Sequence, residues 1–225
     1  MLGRYLRALG KRCFCWLETL CVTFILTPFN LIVNLNKASR KLEIGPGDCR
    51  IQGFETLNIL AGNNVDYVLD ASKKMPFKKE TFDIIYASHI LEHIPWYQVE
   101  ETIAEWVRLL KRGGVLEVWV PDGLKICNAF IEYEVKGNNE IEKDGWFKFN
   151  PEKSPYKWIA GRLFAYGDGT GNSAHPNWHR AIFSRKYLKA ILEKNGLIDV
   201  RELNKSNVRA YDHGWINLGY RGQKA

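Results

Sequence analysis

The sequence has no C-x-x-C pair, and its five cysteines (Cys13, Cys15, Cys21, Cys49 and Cys127) are an odd number. This argues against a paired disulfide framework and a cysteine zinc site, and makes a reducing, cytosolic compartment the default. There is no internal repeat and no low-complexity tract. No G-x-G-x-x-G opens a helix and no P-loop lysine follows a glycine loop, so a phosphate cradle is weakly supported. An excess of positive over negative charge is scarce outside the N-terminus. Residues 1–41 hold seven basic residues against Glu18 alone, which is six of the net charge of +7. The rest of the chain is close to neutral, so no nucleic-acid partner is indicated. What the chain does have is 46% hydrophobic and 13% aromatic residues in a length of 225, enough for one domain with a sizeable core and an appendage.

The appendage is residues 1–40. Its stretch "CFCWLETLCVTFILTPFNLIVNL" (13–35) is apolar, broken by Glu18, Pro28 and Asn30, and flanked by basic residues. No small-x-small site follows, which argues against a cleaved signal peptide. Glu18 and Pro28 weaken a spanning helix. Attachment in the plane of the cytoplasmic membrane face is physically easier. It stands beside two plainer readings, a helical cap on the domain and a poorly ordered extension. Cys13, Cys15 and Cys21 offer sites for acyl chains.

Residues 41–225 read as an α/β domain. "KLEIGPG" (41–47), "FETLNIL" (54–60), "VDYVLD" (65–70), "TFDIIYAS" (81–88) and "GGVLEVWVPD" (113–122) are short apolar runs bounded by Gly, Pro and Asp, the pattern of buried parallel strands. Between the last two, Val99, Ile103, Trp106, Val107 and Leu110 recur at helical spacing and predict a crossover helix. Residues 123–180 hold few long periodic segments and many aromatics, and "YGDGTGNSAHPNWHR" (166–180) has loop composition. A connection this long is usually functional. "SRKYLKAILEKNG" (184–196) predicts a helix capped by Ser184, and "LIDVREL" (197–203) and "GWINLGYRG" (214–222) predict two final strands.

Ligands of open parallel sheets sit beyond the carboxyl ends of the strands. Those ends carry Glu43, Gly45 and Gly47 on the first strand, Asn58 on the second, Asp70 between Leu69 and Ala71 on the third, and Ser88-His89 on the fourth. These are groups suited to a nucleoside: glycines for close approach, an amide for ribose hydroxyls and a carboxylate for an exocyclic amine. His89, Glu92 and His93 also spell H-x-x-E-H, a zinc-hydrolase spacing. Such a site needs a long helix, and Pro95 allows only a short turn here. Zinc hydrolysis is therefore a minor alternative, and no metal is expected.

Residues 41–122 resemble a class I S-adenosylmethionine-dependent methyltransferase of type 11. "LEIGPG", "VDYVLDASKKMPF" and the long string "FDIIYASHILEHIPWYQVEETIAEWVRLLKRGGVLEVWVPD" carry the resemblance, which continues more weakly through "FSRKYLKAILEKNGLIDVREL". It implies a Rossmann-like seven-stranded, mostly parallel sheet with flanking helices and an antiparallel last strand. It also implies S-adenosylmethionine as cofactor. Glu43, Gly45 and Gly47 would lie under its methionine and ribose, Asp70 and Ala71 at the adenine, and Ser88 and His89 at the reactive end. Asn58 stands where an acidic residue usually holds the ribose diol, so a catalytically silent binding module stays open. "LEH" is common at this point of such enzymes without metal, where Glu92 and His93 would brace the turn. Residues 123–180 would cover the acceptor, a hydroxyl of a saccharide or other small molecule, with His179, His175 or Asp168 as general base beside Trp178 and Arg180.

Overall fold

The five apolar runs form five parallel strands: β1 (Lys41–Ile44), β2 (Glu55–Asn58), β3 (Tyr67–Val68), β4 (Phe82–Ser88) and β5 (Leu110–Pro121). The computed structural model describes residues 22–225; Cys13, Cys15, Cys21 and the basic residues Arg4, Arg7, Lys11 and Arg12 lie outside the described residues. β6 (Leu197–Leu203) and β7 (Asn217–Lys224) complete a seven-stranded sheet in the order β3-β2-β1-β4-β5-β7-β6. Only β7 runs antiparallel, against both β5 and β6. β5 starts at Leu110, earlier than the sequence pattern suggests. Its pairing with β4 slips between Phe82 and Ile84, which lets the Gly113–Gly114 region bulge.

Leu42, Ile44, Leu57, Ile85, Leu116 and Val118 are buried in the sheet. The crossover helix α2 (Val99–Leu109) turns Val99, Ile103 and Trp106 onto it. This helix also shapes the loop after β3. The Trp106 indole N–H donates to the Ala71 carbonyl at 3.0 Å, and Glu105 accepts from the Met75 N–H at 2.9 Å.

The aromatic-rich segment is more regular than its sequence suggests. It forms α3 (Gly123–Lys136), α4 (Glu140–Asp144) and α5 (Pro155–Phe164) before the irregular stretch at 166–180. The signals were Asp122, which caps α3 through Leu124 and Lys125, and Gly137, which ends it in a left-handed conformation. The aromatics pack on one another: Ile126, Ile141, Trp158 and Ile216 form a small second core with Phe130 and Trp146. α6 (Arg185–Lys194) follows, capped by Ser184 as its sequence predicts.

The helix α1 (Thr27–Val33), preceded by a π-helical turn over Val22–Leu26, covers the β3 edge with its polarity reversed. Its polar side chains face the protein. Thr27 Oγ1 accepts from the Val68 N–H, Asn30 donates to the Asp66 carbonyl, and Asn34 donates to the Tyr67 hydroxyl. Leu31 packs against the main core, but most of the apolar side chains here face outward; Phe24 of the preceding turn is 71% exposed, Phe29 58% and Ile32 72%. No described helix is long and apolar enough to cross a membrane.

Asp144 ties the second core together. Its carboxylate accepts from the indole N–H groups of Trp158 and Trp215 and from the Arg162 guanidinium. Burial pushes this carboxyl up, but Arg162 and the two indoles outweigh burial and leave it below its ordinary value of 3.8. The stabilisation is therefore present above pH 3.8 and lost as pH falls through the lowered value. Asp144→Ala should cost about 3 kcal/mol in urea denaturation, because it strands a buried guanidinium, and should flatten the acid limb of the stability curve. An unchanged midpoint would remove Asp144 from this role.

Candidate functional site

The strand order reverses at β1, which pairs with β2 on one side and β4 on the other. Loops leaving β1 and β4 therefore diverge and open a crevice above the carboxyl ends of the strands. Two cavities occupy it. One, of about 810 Å³, is lined by Asn58, Asp70, Ala71, Tyr97, His175 and Arg180 among others. The other, of about 570 Å³, is lined by Gly47, Ser88, His89, Glu92, Trp146 and His179 among others. Gly45, Asn58, Ile90, His93, Tyr166 and Asn177 border both, so the two are neighbouring compartments of one cleft.

Gly45 sets the floor between them. Its φ is +73°, and a Cβ there would lie 2.0 Å from Ile90 Cδ1. Only glycine allows both the turn and the passage of Ile90 across it. At Asn58, the carbonyl oxygen accepts from the Ile59 N–H at 2.8 Å, so its amide N–H groups are left for a ligand. Asp70 Oδ1 accepts from the backbone and hydroxyl of Ser72, and Oδ2 makes no hydrogen bond among the described residues. Glu43 lines neither cavity. Its carboxylate accepts from the Ile51 N–H at 2.7 Å and braces the loop that carries Gly47. Burial raises this carboxyl, against the opposing pull of the Ile51 N–H and Arg50.

The three candidate bases are spread apart. Asp168 is exposed, lines neither cavity and closes a turn onto Thr170. His175 lies in the larger compartment, with Nδ1 accepting from the Asn177 N–H at 3.1 Å. His179 alone reaches the smaller one.

There it joins a cluster the sequence pattern did not assemble. Leu91–His93 is a single 3-10 turn, as Pro95 requires, but Glu92 and His93 do not cap it with their side chains. Instead the Glu92 carbonyl accepts from the N–H groups of Arg180 and Ala181, and Arg180 O accepts from Trp96. This backbone lacing carries His179 to Glu92 and His93. The His93 and His179 rings meet edge to face at 4.9 Å. His89, at φ +54° on the end of β4, sets Nδ1 3.2 Å from Glu92 Oε1 and Nε2 2.8 Å from Asn217 Oδ1. His213 stacks on it at 3.6 Å. Neither Glu92 oxygen receives a well-directed hydrogen bond. Burial alone would raise the Glu92 carboxyl; His89, His93 and His179 outweigh it and hold it down to about 2. Burial lowers His179 to about 4.

A family model described as a methyltransferase domain matches residues 42–118. Residues 42–118 thus match a methyltransferase domain, and the seven-stranded sheet built on them has the class I methyltransferase fold. A sterol 4-C-methyltransferase of Caenorhabditis elegans is 29% identical over 152 residues, covering 65% of this chain and 39% of that protein. A sterol 24-C-methyltransferase of Yarrowia lipolytica is 34% identical over 88 residues, covering 39% of this chain and 21% of that one. The chain thus spans well under half the length of either relative. A solved S-adenosylmethionine-dependent methyltransferase of Thermotoga maritima aligns over the whole of both chains at 19% identity, with a TM-score of 0.41. The cofactor of this class is S-adenosylmethionine, and the site fits it. The larger compartment supplies a free carboxylate oxygen at Asp70 and donors at Asn58, and Gly45 clears the path from there to the smaller one.

Gly45→Ala should lower stability by about 1–3 kcal/mol, since the left-handed turn and the Ile90 contact both oppose a side chain. Denaturant midpoints of the wild type and variant would measure this. A neutral result would mean that Ile90 yields freely and Gly45 does not define the floor.

Proposed function

We propose that this protein methylates a hydroxyl of a small-molecule acceptor, a saccharide in the first instance, using S-adenosylmethionine. The observation that carries this reading is the joined pair of compartments at the reversal point of the sheet. One is furnished for a nucleoside, and the other is lined by aromatics and histidines. S-adenosylmethionine supplies an electrophilic methyl group on sulfur when bound. Asp70 and Ala71 would take the adenine, the Asn58 amide would donate to the ribose, and Gly45, Gly47, Ser88 and His89 would flank the methionine end. Asn58 replaces a charge-assisted hydrogen bond with a neutral one, which weakens binding rather than abolishing it. Trp146, Tyr166 and Tyr211 offer flat faces to a sugar ring. Holding the acceptor hydroxyl in line supplies much of the acceleration. Of the three candidate bases, His179 stands on the acceptor side, and its lowered proton affinity keeps it neutral near pH 7.

The reversed polarity of α1 supports an acceptor presented at a membrane, such as a lipid-linked saccharide. We propose that Phe24, Ile25, Phe29 and Ile32 rest in the interface of an anionic bilayer; residues 1–41 carry seven basic residues against one acidic, the charge such a surface attracts.

Calorimetry with S-adenosylmethionine and S-adenosylhomocysteine should show one site, weakened about ten-fold or more in Asp70→Ala, as the loss of a hydrogen bond to a charged group predicts. No binding by the wild type would defeat the methyltransferase reading. Separately, the protein should sediment with vesicles containing phosphatidylserine but not with purely zwitterionic ones. Phe29→Ser with Ile32→Ser should release it. Equal partition of wild type and variant would end the membrane proposal and leave the chemistry untouched.

A further inference from the structure

We propose that Glu92, His93 and His179 bind one divalent transition-metal ion, of the zinc class, inside the acceptor compartment. The sequence pattern alone points the other way, because an H-x-x-E-H site needs one long helix and Pro95 prevents it. The site instead uses the last two residues of that motif and a third from the segment folded over it. Each side chain offers one ligand atom, and the three atoms lie within 4.8 Å of one another. Three of the five histidines, His89, His93 and His179, face one carboxylate.

Three further observations point to an ion. Glu92 is 1% exposed, and both its oxygens lack a directed donor, a costly arrangement that a cation relieves. His93 Nδ1 faces the Trp178 carbonyl at 3.3 Å, which fixes the ring and leaves Nε2 for a ligand. That is the outer support metal-binding imidazoles normally have. The donor set itself, two imidazoles and a carboxylate, suits zinc, iron or cobalt rather than magnesium or calcium. His89, against the same carboxylate, orients it. Three protein ligands leave a coordination position for an oxygen from the cavity. The acceptor hydroxyl is the oxygen expected there; that last step alone rests on the methyl-transfer reading. In it, the ion lowers the proton affinity of the bound hydroxyl; its proton passes to solvent in the open cavity as the oxygen bonds to the methyl carbon and the sulfur–methyl bond breaks.

The test uses tag-free, chelator-stripped full-length protein titrated with Zn²⁺, and separately with Co²⁺, with bound metal quantified after desalting. One ion per chain is expected. His93→Gln and His179→Gln should each weaken binding about 100-fold, while His175→Gln should not. Circular dichroism on each variant separates lost ligation from lost fold. Where a variant unfolds, the wild type decides: its Co²⁺ form should show visible ligand-field absorption, and Zn²⁺ should raise its Tm. Failure of folded wild type to bind either ion at micromolar concentration overturns the proposal. So does binding that folded His93→Gln and His179→Gln both retain. S-adenosylhomocysteine affinity, measured on the same samples without metal, tells this failure from failure of the cofactor reading.

Discussion

The reversal of strand order at β1 is the constraint on which the site depends. A right-handed crossover after β1 places β2 on one side, and the return after β3 places β4 on the other. The two loops must part, and their parting leaves a cleft that no side chain of the sheet can fill. Everything chemical is then placed by how the loops are pinned. The Gly45 N–H still donates to Leu57 O at 2.8 Å, so β1 and β2 stay in register up to the turn itself. Glu43 holds the next loop from below, and Trp106 holds the Ala71 loop from the opposite helix. These residues act on the ligand through backbone position.

The smaller compartment is pinned differently, by an irregular segment rather than by helices. Backbone hydrogen bonds from Arg180, Ala181 and Trp96 sew residues 178–181 onto residues 92–96. Such lacing fixes His179 without demanding any regular element around it. Glu92 itself is 1% exposed at the wall of the cavity, and His89, His93 and His179 are the groups that act on its charge. Burial and these rings pull the carboxyl in opposite directions, and the rings prevail. A charge kept in so buried a place is a feature a fold discards unless something uses it.

The sequence was most informative where structure is periodic and local. The strands, the crossover helix and the Ser184 cap follow from alternation, spacing and terminal residues. Gly45, Asn58, Asp70 and Ser88 follow from their places at strand ends. Helices α3 to α5 were harder to read, because aromatics at irregular intervals serve a small second core and do not form one clean stripe. Glu43 resembles a ligand in one dimension; its alternation within β1 instead turns it toward Ile51. Asp168 has the composition of a base and the geometry of a turn. The His179 partnership was out of reach, since 86 positions separate it from His93 and nothing periodic links them.

The opposite end of the sheet explains why α1 presents the face it does. Arg40 donates two hydrogen bonds to Glu55, Tyr67 donates to the same carboxylate, and Asn34 donates to the Tyr67 hydroxyl. This buried network sits at the start of β1, β2 and β3, far from the cleft. It can be completed only if α1 turns a polar stripe inward, because β3 is an edge and its Val68 N–H needs an acceptor, found in Thr27. Once Thr27, Asn30 and Asn34 are committed, helical periodicity sends Phe29, Ile32 and Val33 outward. The exposed apolar face is thus a consequence of satisfying buried polar groups. It places an exposed apolar surface at the edge strand whose other end leads to Asp70 and the cleft.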